Sequence, residues 1–96
     1  MPTLGEITEI LRAHRPSLAR KYGIRTLAVF GSYARGDQSP RSDLDVLVDF
    51  EFSPGLEFVD LAEELENILG MHVDLVSRGA LDKRSYESIS PDLRYV

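Results

Sequence analysis

The sequence predicts a small α/β domain, a few-stranded sheet covered by helices on one side. Three observations lead there: apolar runs at residues 24–30, 42–50 and 71–76, helical spacing of apolar residues before and between them, and glycine or proline at the joins. A length of 96 residues fits one domain, residues 1–96, able to bury a core with little spare stability.

Leu4, Ile7, Ile10, Leu11 and His14 recur at helical spacing, and Thr3 with Glu6 three residues on has the form of a capping box. Pro16 is expected to end or kink this helix, with Ser17 to Tyr22 forming a second one stopped by Gly23. "IRTLAVF", Ile24 to Phe30, is the first strand. Gly31 to Gly36 suits a tight turn leading into one helical turn, and Asp37 to Ser42 a polar loop. "SDLDVLVDF", Ser42 to Phe50, is the second strand. Phe58, Leu61, Ala62, Leu65, Ile68 and Leu69 make a helical stripe ending at Gly70. "MHVDLV", Met71 to Val76, is the third strand and Ala80 to Tyr86 the last helix. Beyond Ser88 no element is assigned.

Hydrophobic residues at 43% and charged residues at 28% are ordinary globular usage. No apolar run reaches bilayer length and no secretory leader opens the chain, so no membrane and a cytoplasmic location are expected. With no cysteine, a metal would have to sit on oxygen or imidazole. The net charge of −5 is uneven: residues 1–42 hold seven Lys/Arg against three Asp/Glu, or +4, and residues 43–96 hold four against thirteen, or −9. An acidic total argues against direct nucleic-acid binding. A small phosphorylated ligand or a basic protein partner fits better.

The divide falls inside "VFGSYARGDQSPRSDLDVLVDF", Val29 to Phe50. On a strand Asp43 and Asp45 would share a face with Cα atoms roughly 6–7 Å apart. Two carboxylates so placed can share a divalent cation, and oxygen ligation favours a magnesium-type ion completed by water and substrate phosphate. Gly31 lets backbone approach a ligand, and Ser32 begins a helical turn whose N–H groups suit phosphate. Arg35 and Arg41 could add charged contacts. Asp74, mid-strand between apolar neighbours, could join the carboxylates as ligand or base, or pair with Arg78 in a structural role. His14 suits packing, and His72 shares the strand face of Asp74. Glu57, Asp60, Glu63, Glu64 and Glu66 form a solvated helix face by default.

"GSYARGDQSPRSDLDVLV" matches G-S-x-A-R-G, a short loop, then S-D-x-D-x-x-V, and resembles the minimal nucleotidyltransferases (MNT) of the DNA polymerase beta-like superfamily. The likeness extends over nearly the whole chain. It implies a mixed-sheet nucleotidyltransferase fold, nucleotide phosphates at Gly31 and Ser32, Mg2+ on Asp43 and Asp45, and Asp74 as the third carboxylate. It also implies ATP as donor, AMP transfer to a hydroxyl, in some members a tyrosine, of a separate HEPN-type toxin, and an antitoxin role. A non-catalytic antitoxin that neutralises by binding and a transferase acting on RNA or another acceptor are the alternatives. A homo-oligomer stays open.

Overall fold

A computed structural model describes residues 2–96. Helix α1 runs Leu4–Tyr22, strand β1 Ile24–Phe30, helix α2 Gly31–Arg35, strand β2 Leu44–Phe50 and helix α3 Glu57–Leu69. Strand β3, Val73–Ser77, follows, then a 3-10 turn at Arg78–Ala80, helix α4 at Lys83–Ile89, a second 3-10 turn at Ser90–Asp92 and strand β4 at Arg94–Tyr95. No described helix is long and apolar enough to cross a membrane.

The capping box forms as expected. Thr3 N donates to Glu6 Oε1 at 3.0 Å and Glu6 N donates to Thr3 Oγ1 at 3.2 Å. The helix does not end at Pro16 and no second helix starts there: one helix of 19 residues carries Pro16 inside it. The missing proline N–H removes one helical bond, but Ile7, Leu11, Leu18 and Tyr22 are all buried and lie on one stripe, so an unbroken helix keeps both halves packed in the core. Packing outweighs the local rule.

The sheet is mixed, in the order β3-β2-β1-β4. Strand β1 pairs antiparallel with β2 and β4, while β2 pairs parallel with β3 across the α3 crossover. Strand β2 starts at Leu44, later than the expected Ser42, so Asp43 stands just ahead of it. The third strand and the last helix also lie later than expected, at Val73–Ser77 and Lys83–Ile89. Asp82 sets the helix start by accepting from Ser85 N at 2.7 Å.

One core cluster joins α1 and α3 to Leu27, Val29, Leu44, Val46, Val48, Phe50, Val73 and Leu75. Ala28 and Leu47 are also buried but stand outside that cluster, on the other sheet face. There Leu81 and Ile89, around α4, share a cavity with Val76. Helical cover on one side alone is therefore corrected: the C-terminal segment closes part of the second face. The acidic side of α3 is not wholly solvated either. Glu64 accepts from Lys21 Nζ at 2.8 Å and Tyr22 Oη at 2.6 Å, and Glu66 accepts from Val73 N at 3.0 Å.

Candidate active site

The turn between β1 and α2 supplies one half of the candidate site. Gly31 has φ of 75°, a backbone that glycine takes without steric cost. A second constraint acts on the same residue: a Cβ there would collide with an Asp45 carboxylate oxygen and lie 3.0 Å from its Cγ. Bare backbone is what lets the turn meet the carboxylate. Ser32 lies in the first turn of α2, where no side chain caps the N–H groups, an arrangement an anion can complete.

The carboxylates supply the other half. In the parallel register of β2 and β3, Asp45 stands directly opposite Asp74, and on its other side Asp45 faces Phe30 of β1. Asp45 is half-buried and Asp74 exposed, as befits an edge strand. Asp43, also exposed, has Oδ1 3.8 Å from His72 Nδ1, which in turn is 3.5 Å from Glu66 Oε2. Partial burial pushes Asp45 up to about 6, aided by the Asp74 charge, by a hydrogen bond from protonated Asp45 to Asp74 and by Asp43, while Arg35 pulls the other way.

Among the described residues no three His, Asp or Glu side chains are gathered closely enough to hold an ion as they stand. The donor chemistry nevertheless fits a hard cation: oxygen ligands from Asp43, Asp45 and Asp74, with mutual repulsion at Asp45 that a cation would relieve. Asp74 does not take the structural role offered by Arg78, whose guanidinium lies 3.8 Å from the centre of the Tyr86 ring.

Arg35 is engaged elsewhere. Its Nε donates to Asp37 Oδ2 at 3.1 Å and its Nη1 to Asp92 Oδ2 at 2.8 Å, tying α2 to the C-terminal turn. Arg41 is exposed on a loop pinned by Ser39 N donating to Ser42 Oγ at 2.9 Å. It lines a cavity of about 410 Å3 with Tyr33, Asp43 and His72. A second cavity, about 470 Å3, holds Asp74, Arg84, Ser85 and Ser88. Sequence reasoning gave these α4 residues no role, although Asp82 as a cap would have put Ser85 and Ser88 on one helix face. A larger cavity of about 740 Å3 beside Phe50, Phe52 and Phe58 contains none of Asp43, Asp45 and Asp74.

A model of the nucleotidyltransferase domain family matches residues 11–96. The chain is 44% identical over 97 residues to protein adenylyltransferase MntA of Thermococcus cleftensis, with 100% of this chain and 98% of the relative covered. A Methanocaldococcus jannaschii protein provisionally named a protein adenylyltransferase is 46% identical over 99 residues, covering 100% of both. A solved structure provisionally named a minimal nucleotidyltransferase has a TM-score of 0.75 at 36% identity, over 97% of this chain and 95% of its own. A chain from the complex of tri-AMPylated Shewanella oneidensis HEPN toxin with MNT antitoxin shares the fold, with a TM-score of 0.65 at 19% identity over 91% of this chain and 69% of its own.

Proposed function

The chain belongs to the nucleotidyltransferase domain family, and from that premise we propose that it moves AMP from ATP to a tyrosine hydroxyl of a cognate HEPN-type toxin, acting as its antitoxin. The observation that carries this reading is the register pair of Asp45 and Asp74 with bare Gly31 against Asp45. Two carboxylates side by side and a backbone turn in contact with one of them are a poor arrangement for folding. For holding a cation next to a phosphate they are a good one.

Asp43, Asp45 and Asp74 would hold Mg2+, which when bound neutralises charge on phosphate oxygens. Gly31 and Ser32 present backbone and hydroxyl to the nucleotide phosphates, and Arg41 reaches the same side from its loop. Arg35, held by Asp37 and Asp92, fixes α2 and adds positive charge near Asp45. The acceptor oxygen forms a bond to the α-phosphorus, the bond to the bridging oxygen breaks, and pyrophosphate leaves with that electron pair. Asp74, exposed on the edge strand, takes the acceptor's proton.

Labelled ATP, Mg2+ and the HEPN-type partner are expected to give label on the partner, and Asp45→Asn to give none. Undiminished labelling by Asp45→Asn would remove the site assignment. Should the Asp43→Asn, Asp45→Asn double variant still suppress the partner in cells, neutralisation is by binding. Mass gain on an added oligonucleotide would move the acceptor to nucleic acid.

A further inference from the structure

Resting on the transferase reading, we propose that the cavity under α4 is the acceptor pocket, that it takes an aromatic hydroxyl, and that Arg84 at its rim selects acceptors flanked by a carboxylate. The cavity measures about 470 Å3, within the ordinary range of ligand pockets and roomy enough to admit a large side chain. Phe30, Val76, Leu81 and Ile89 give it apolar wall beside the polar Arg84, Ser85 and Ser88, and Asp74 is the one carboxylate lining it. An aromatic ring would cover those walls and bring its hydroxyl to Asp74. A serine would leave them wet.

Position supports the assignment as well. In-line transfer needs the attacking oxygen and the departing pyrophosphate on opposite sides of the phosphorus. Two cavities meet this row of carboxylates, one at Asp43 with Arg41 and one at Asp74 with the apolar walls. Arg41 in the first can meet a polyphosphate, and the apolar side chains of the second suit a tyrosine. Phe30 links the two halves, lining the apolar cavity and immediately preceding the turn that begins at Gly31. Arg84 is exposed and joins no ion pair with another described residue, unlike Arg35. It is free to meet a carboxylate beside the incoming tyrosine.

The test is an NMR titration of the whole chain, metal-free, with N-acetyl-tyrosinamide, N-acetyl-phenylalaninamide and N-acetyl-serinamide. Amide signals of Ser85, Ser88 and Ile89 should shift saturably with the tyrosine probe, less with phenylalanine and not with serine. Ser88→Trp fills an exposed wall and should weaken that binding by roughly tenfold or more. Arg84→Glu should reverse the preference for an acetyl-Glu-Tyr-amide probe over acetyl-Lys-Tyr-amide. Shifts confined to Tyr33 and His72, shifts indifferent to Ser88→Trp, or none at all would overturn the pocket. Label transfer to the HEPN-type partner, run alongside, separates the two claims. Tyrosine-induced shifts without transfer keep the pocket and retire the transferase, whereas transfer without shifts retires the pocket.

Discussion

The two faces of β2 follow opposite rules within seven residues. Toward α1 and α3 the strand presents Leu44, Val46 and Val48, each with 0% exposure, and Phe50. Toward α4 it presents Asp45, Leu47 and Asp49, and only Leu47 is buried. Each fully buried aliphatic side chain on the first face contributes about 1.5–3 kcal/mol. On the second face Asp45 stands opposite Asp74 and feels the charges of Asp74 and Asp43. Folding free energy and candidate chemistry thus reside on alternate residues of one strand, and each should be breakable without the other.

The largest effect is expected on the apolar side. Leu61→Ala, at a position with 0% exposure, should cost about 2–5 kcal/mol in urea denaturation while leaving the Mg2+ affinity of the remaining folded protein unchanged. Equal losses in stability and Mg2+ affinity would show that the two faces are not separable.

Gly31→Ala should come next, because it strikes where the faces meet. The positive φ of 75° costs an L-residue about 1–2 kcal/mol, and the new methyl must displace the Asp45 carboxylate. Label transfer should fall far more than stability does. Retained transfer would mean that contact between Gly31 and Asp45 is incidental.

A smaller effect has an unusual sign. The pKa of Asp45 is raised in the fold to about 6 from an ordinary 3.8, so its stabilising contribution is fully present below the ordinary value and is lost as pH rises through about 6. Glu6, Glu57, Glu64 and Asp82, all held below the usual carboxylate range by hydrogen bonds, act in the opposite direction at lower pH. Subtracting the stability profile of Asp45→Asn from that of the metal-free wild type should isolate a decline between about pH 4 and 6. A flat difference would mean that Asp45 feels neither burial nor Asp74.

Legibility in the sequence follows how local each cause is. Strand β1 and helix α3 were readable because unbroken apolar runs and a 3.6-residue stripe are written along the chain itself. Pro16 misled because what keeps α1 whole is the sheet beneath Leu18 and Tyr22, which proline rules do not see. Strand β4 has two residues, too few for alternation, and exists because β1 offers a free edge, with Val96 N donating to Leu27 O at 3.0 Å. The same division applies at the site. Asp43 and Asp45 announce themselves by adjacency, whereas the placing of Asp74 depends on parallel register and the α4 cavity on how residues 78–92 fold back. Arg35 looked available because its partner Asp92 lies 57 residues away.

Thermal melts of the wild type and Asp45→Asn, with and without Mg2+, bear most directly on the claim that these carboxylates form a cation site. The expected result is a wild type that gains stability on adding Mg2+, beside an Asp45→Asn variant that starts out more stable than the metal-free wild type and gains little. A wild type indifferent to Mg2+, or a variant less stable than the metal-free wild type, would contradict it.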